Sequence, residues 1–283
     1  MNLENNEAAS GSIFAWDYTL WEVRLKFMAA GLFISLGVFF SLHYLSSWMS
    51  ISYRLLPAKD KFFLSMIGVR GVFAIQSCAA GLWALLLDPV FQADKVYSQQ
   101  DWSWFICLIT SGFFLWENVS FHAFNFIFQT SNLQGLIHHS FAFGGFLGLV
   151  TNIKSGHYIP LMGMLLEMCT PFEYVSKVLM KVGRGNTLFW KANQWMVIHM
   201  FHCRMILLYH MSWVCISNWN AMLENLGLLH FALVFMGLSV LTAIFNPLWT
   251  YNNTERLFRH TNRAMNNVSP NKLSEETCQK KEL

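Results

Sequence analysis

The sequence predicts an all-α, polytopic membrane protein with about seven transmembrane helices. Three observations carry this expectation. Of 283 residues, 54 % are hydrophobic and only 12 % charged, whereas soluble chains are about one-quarter charged. The polar residues cluster between long apolar stretches. Trp and Tyr gather at many ends of those stretches, as interfacial anchors do.

About 20 apolar residues span a bilayer as a helix. The N-terminus is polar and acidic up to Gly11, with no basic run leading into an apolar core, so the first apolar segment is expected to stay as an anchor. Residues 1–26 form an N-terminal lumenal segment, and residues 27–61 hold the first helix, Phe27–Tyr44, and a cytosolic loop. The following candidates are Phe62–Leu87, Trp102–Trp116, Leu133–Val150, Ile159–Met180, Trp190–Trp213 and Leu226–Trp249. The third is short unless it runs on toward Phe128. The fifth is interrupted by Glu167, Pro171, Glu173 and Lys177.

Lys and Arg set the orientation. With seven spans and a lumenal N-terminus, thirteen fall on the cytosolic side and four, Arg24, Lys26, Lys95 and Lys154, on the lumenal side. That is the positive-inside bias, and it places the tail, residues 251–283, in the cytosol. The chain ends Lys280-Lys281-Glu282-Leu283. Lysines at these positions of a cytosolic tail match the dilysine signal, read by the COPI coat to retrieve membrane proteins to the endoplasmic reticulum. The lookalike K-D-E-L works only in the lumen. The expected location is therefore the endoplasmic reticulum membrane, with cycling through the ER-Golgi intermediate compartment. The sequons at Asn252 and Asn267 stay cytosolic in this topology.

Five polar clusters interrupt the apolar segments: Arg70, Glu117-Asn118, His138-His139, Glu167, and His199, His202 and Arg204. An ionisable group within a membrane must face the bundle interior and find a partner, so each is a functional candidate. Glu167 and Arg204 both reach near the midplane and would also serve as a structural pair. His138 lies roughly 8 Å inside its span, at about 1.5 Å per residue. These groups line one internal chamber open toward the cytosol. Adjacent helical residues point about 100° apart, so one of His138 and His139 serves the chamber and the other supports it. Gly144, Gly145 and Gly148 permit close helix approach on the same span. The remaining histidines, including His43, His157, His210 and His230, sit near span ends and are expected to be interfacial or solvated.

Several classes are excluded. No basic patch interleaved with aromatics points to nucleic acid. The six cysteines show no CxxC or paired spacing, so neither a zinc site nor a disulfide framework is indicated. Paired histidines without a nearby carboxylate set are poor metal ligands, and no metal is expected. A G-x-S-x-G elbow is lacking. Imidazole instead suits nucleophilic or general-base work near neutral pH, and a water-poor chamber protects an acylated intermediate.

"LIHHSFAF", "LLEMCTPF" and "HMFHCRMIL", in this order, resemble the TLC-domain family, which includes the ceramide synthases and the translocating-chain-associating membrane protein. The resemblance covers residues 62–250 and implies a helical barrel of the endoplasmic reticulum that handles lipid. In ceramide synthases the paired histidines transfer an acyl group from acyl-CoA; by position these become His138 and His139. Ceramide synthases carry aspartates where Glu167 and Thr170 stand here, so a hydroxyl acceptor such as a lysophospholipid competes with a sphingoid base. The reading that follows is an acyl-CoA-dependent lipid acyltransferase, with no bound cofactor and acyl-CoA as co-substrate. His138 or His139 works on the thioester, Glu167 and Arg204 tune the chamber, and His202 is a lesser member. The first alternative is a cargo receptor cycling between endoplasmic reticulum and Golgi through Lys280 and Lys281. Family members linked to neuronal ceroid lipofuscinosis, a lysosomal storage phenotype, imply lysosomal enzymes as that cargo; other endoplasmic reticulum membrane proteins are further candidate partners. The second alternative is a non-catalytic lipid sensor.

Overall fold

The computed structural model describes residues 16–130 and 133–259. Lys280 and Lys281 lie outside the described residues. Among those described, the chain is helical throughout its elements: α1 (Trp21–Met49), α2 (Ile51–Arg54), α3 (Ala58–Leu86), α4 (Pro89–Ala93), α5 (Asp101–Phe128), α6 (Leu133–Thr151), α7 (Tyr158–Leu165), a 3-10 turn (Leu166–Cys169), α8 (Thr170–Lys181), α9 (Leu188–Ser217), α10 (Trp219–Leu226) and α11 (Leu228–Val240). A π turn, Leu241–Phe245, follows α11, and the helical rod continues to Arg259.

The expected third span extends to Phe128, and the first begins at Trp21, so Arg24 and Lys26 are helical. The last helix runs nine residues past Thr250. Its end is fixed by the Gln194 amide, which donates to the Asn253 backbone oxygen and to its Oδ1 at 3.1 and 3.0 Å. Asn252 of the first sequon lines an internal cavity. The expected fifth span is broken in two by the 3-10 turn, with Pro171 in the first turn of α8. Proline is tolerated there because that amide has no helical acceptor. Among the described residues, five helices are long and apolar enough to cross a membrane: α1, α3, α5, α6 and the rod from Leu228 to Arg259. The α7–α8 unit and α9 are the other two long rods, and they carry Glu167, Glu173, Lys177 and Arg204.

Six rods close into a ring in the order α3, α7–α8, α9, α11, α6 and α5, which returns to α3. α1 lies outside the ring against α5 and α3. Its crossing with α5 is backbone-close: a Cβ on Gly112 would collide with the Met28 carbonyl, and one on Gly31 with that of Ile109. Arg24, 2 % exposed, anchors the start of α1. Its guanidinium donates to the Val150 carbonyl near the end of α6 and to the Thr19 carbonyl at 3.2 Å. Gly144 and Gly148 let α11 approach α6, where Leu233 and His230 fill the space a side chain would need.

The loops between α4 and α5 and between α6 and α7 close one end of the ring. Asn225 accepts from the Gly156 amide at 3.1 Å and donates to the Lys154 carbonyl at 2.6 Å. Gln99 donates to the Ile153 and Ser155 carbonyls at 2.8 and 2.9 Å. His157, expected to be solvated, is fully buried in this cap. Its Nδ1 meets Ser103 Oγ at 2.7 Å, and that hydroxyl donates to the Gln100 carbonyl. The imidazole proton therefore sits on Nδ1.

Burial pushes the His157 imidazole down to about 3. The folded chain keeps it neutral while the unfolded chain protonates it below its ordinary value near 6.5, so stability falls as pH drops below that value. In detergent, unfolding temperature should decrease from pH 7.5 to 5.5, and His157→Gln should remove part of that decrease. At the helix crossing, Gly112→Ala should destabilise by about 1–3 kcal/mol. Gly37→Ala, which meets open space, should leave thermal unfolding unchanged.

Candidate functional site

Among the described residues, two cavities in the ring matter to the site. The first, about 970 Å³ including its open mouth, runs toward the loop cap and is mostly apolar, with Phe141, Ile159, Met211, Leu233 and Leu238 on its walls. The second, about 1000 Å³ including its mouth, opens at the opposite end and is polar; Arg70, Lys177, Arg204 and Arg256 line it with Glu173 and Thr170. His138 and Glu167 line both cavities and so stand at their junction.

The paired histidines divide as helix geometry requires. His139, 7 % exposed, points toward α3 and α5. Its Nε2 accepts from the Arg70 guanidinium at 2.6 Å. Arginine only donates, so His139 is neutral with its proton on Nδ1, 2.8 Å from Glu117 Oε2 in a polar contact outside hydrogen-bond alignment. Arg70 Nε closes the cluster on Glu117 Oε1. The neighbouring Asn118 donates to the Phe114 and His139 carbonyls at 2.9 and 3.0 Å. Three staves of the ring are thereby tied, and His139 has no lone pair left for a ligand.

His138 is free of such ties. Among the described residues its ring contacts are aromatic: the His139 ring at 4.7 Å and the Trp249 ring, edge-on, at 5.3 Å. Arg204 packs on the same indole, 5.4 Å from its centroid. Trp249 thus carries the histidine and the arginine of the chamber together.

Glu167 and Arg204 do not pair with each other: among the described residues no ion pair joins them. Thr170 Oγ1 donates to Glu167 Oε2 at 2.6 Å, and Arg204 NH1 donates to Cys169 Sγ at 3.2 Å. The tighter 3-10 winding turns Glu167 away from the direction an unbroken helix would give it. His202 also departs from expectation. It is exposed on the outer face of α9, its Nδ1 donating to the Ile198 carbonyl at 2.8 Å, and it lines neither cavity. It lies two residues, about 200°, from the inward-facing Arg204. His199 is likewise exposed. His230, expected to be interfacial, lines the apolar cavity, with Nε2 donating to the Gly145 carbonyl at 3.0 Å. No group of three His, Cys, Asp or Glu among the described residues could hold a metal ion.

Arg70 and Glu117 are the site members that pairing arguments alone did not connect to the histidines. Their signal was present in the sequence as ionisable residues within apolar spans of opposite charge.

A ring of long apolar helices enclosing a polar and an apolar cavity defines a multi-pass membrane protein. The TLC-domain family profile matches residues 65–254, and the chain belongs to that family. It is similar to the protein CLN8 of Homo sapiens, 49 % identical over 257 residues, covering 91 % of this chain and 90 % of the human one. It is also similar to the CLN8 of Mus musculus, 50 % identical over 246 residues, covering 87 % and 85 % of the two chains. No solved structure matches at a significant level.

His139→Ala should destabilise the fold by about 1–3 kcal/mol, because it leaves Arg70 and Glu117 short of a buried partner. His138→Ala should cost little in thermal unfolding, since it removes ring contacts at a cavity wall. Equal destabilisation by both would contradict this division.

Proposed function

We propose that this protein is an acyl-CoA-dependent lipid acyltransferase of the endoplasmic reticulum membrane. The observation that carries the reading is the position of His138 where the polar and apolar cavities meet. An acyl-CoA has the same division, with its thioester between a polar carrier and an apolar chain. Laid along the ring, the chain occupies the apolar cavity, the carrier extends to the basic end, and the thioester carbonyl comes to His138. A group at that boundary acts on the reacting atoms with the chain held in place.

His138 serves as nucleophile or general base, its ring unengaged by protein hydrogen bonds. His139 is a positioning residue, held by Arg70 and Glu117. Arg204 supplies positive charge where the thioester oxygen becomes negative. Glu167, fixed by Thr170, faces the acceptor, a lysophospholipid hydroxyl or a sphingoid amine. The apolar walls keep water from an acylated intermediate. The rim carries Arg256 beside the Lys177–Glu173 ion pair, and its net positive charge suits the anionic carrier. Lys280 and Lys281 would return the protein to the endoplasmic reticulum through the COPI coat.

The competing reading is a receptor that carries lysosomal enzymes between endoplasmic reticulum and Golgi, for which the same two lysines are central. The loops at the capped end are short and bonded to one another, which favours the enzyme.

Purified protein should release CoA from long-chain acyl-CoA in the presence of lysophospholipid or sphingoid base. His138→Ala should lower the rate by at least about a hundredfold without loss of folding. Wild-type and His138→Ala proteins with equal turnover would sink the reading. Depletion of soluble lysosomal enzymes on replacing Lys280 and Lys281, with no acyl-CoA turnover, would favour the receptor.

A further inference from the structure

We propose that the apolar cavity selects an acyl chain that carries a hydroxyl at its far end. The inference rests on the acyltransferase reading and names the acyl donor of that same site: a long-chain acyl-CoA hydroxylated at its terminal carbon.

For most of its length the cavity is lined by apolar side chains such as Phe141, Met211, Leu233 and Leu238. Its capped end is different, because Ser155 and His230 line it there. Ser155 is fully buried, and its Oγ has no hydrogen-bond partner. His230 donates from Nε2 to the Gly145 carbonyl at 3.0 Å, which leaves Nδ1 as a lone-pair acceptor. That nitrogen too has no partner. Asn225 brings the two residues to one end. It accepts from the Gly156 amide and donates to the Lys154 carbonyl, and so holds Ser155 between them. It also ends α10, just before α11 carries His230.

A plain hydrocarbon chain explains neither group. A wall made for a methyl end would be apolar throughout, as it is beside Leu233 and Leu238. Buried polar atoms are costly to leave unmet. Water meets them while the cavity is empty, but a chain that displaces water without replacing its hydrogen bonds loses affinity. A chain hydroxyl replaces them, donating to His230 Nδ1 and accepting from Ser155 Oγ. Lys95 lines the same end, its ammonium donating to the Gln92 carbonyl at 3.1 Å. A carboxylate at the chain end would set its oxygens against the His230 lone pair, so a neutral hydroxyl is the better match.

The length agrees. α6 ends at Thr151, about 20 Å beyond His138 along the helix. An extended chain advances about 1.2 Å per bond. With its carbonyl at His138, a palmitoyl chain therefore reaches about 18 Å, which brings its last carbon to the cap.

The test uses the full-length protein with lysophospholipid as acceptor. Palmitoyl-CoA and 16-hydroxypalmitoyl-CoA compete as substrates, and palmitic and 16-hydroxypalmitic acids compete as ligands in a binding assay. The wild type should favour the hydroxylated chain about three- to tenfold in kcat/KM and in affinity, the effect of one hydrogen bond. Ser155→Ala and His230→Phe, folded by thermal unfolding, should each bring the ratio toward one by weakening the hydroxylated chain. Should His230→Phe fail to fold, Ser155→Ala still decides. CoA release with no preference, or a preference that both variants keep, would overturn the subsite and leave the acyltransferase standing. A stronger preference for the chain ending in a carboxylate would overturn it in favour of Lys95. Preferred binding of the hydroxylated acid without CoA release from either thioester would overturn the acyltransferase and leave the subsite standing.

Discussion

The buried cluster of Arg70, Glu117 and His139 is the constraint on which the rest of this site depends. It joins α3, α5 and α6, three consecutive staves of the ring. Removing one charge from such a cluster leaves the other stranded, whereas the intact cluster adds little stability over apolar packing. Its value is specificity. Glu117 and Arg70 fix the rotation of α6 and the tautomer of His139, and the 100° step along the helix then turns His138 toward the cavities. Because Arg70 is spent on this cluster, the fully buried arginine left with unpaired donors at the polar cavity is Arg204.

The broken rod makes the second half of the site. An unbroken helix through residues 158–181 would present its carboxylates on the regular 100° step. The 3-10 turn at Leu166–Cys169 and the proline behind it instead bring Glu167, Cys169 and Thr170 to the same wall. Irregular backbone at this depth is tolerated because it lines a cavity inside the protein. Trp249, on the far rod, then supports both His138 and Arg204, so the basic end of the last helix is part of the site and its polar anchors to α9 matter to it.

Much of this was legible in the sequence. Hydropathy located the rods, the interruption at Glu167 and Pro171 forecast the weak helix, and helix geometry foretold that the two histidines would separate. Partner choice was not legible. Glu167 and Arg204 have matching depth and opposite charge, but rotation about each helix axis decides contact, and the 3-10 turn changes that rotation. The outward position of His202 could have been read: if Arg204 faces inward, a residue about 200° away cannot. His157 misled for another reason. Its place at a span end suggested solvent, but the cap folds over it, and only the tertiary contacts of Ser103 and Trp104 reveal that.

The central claim is that one lipid chain lies across both cavities with its reacting carbonyl at His138. The most direct measurement is a cryo-electron microscopy structure of the full-length protein with a non-hydrolysable thioether analogue of palmitoyl-CoA. The account predicts the chain between Phe141 and Leu238, the nucleotide at the rim of Lys177 and Arg256, and the sulfur next to His138. An analogue bound on the outer surface of the ring, or one whose sulfur lies at the capped end near Asn225, would contradict it.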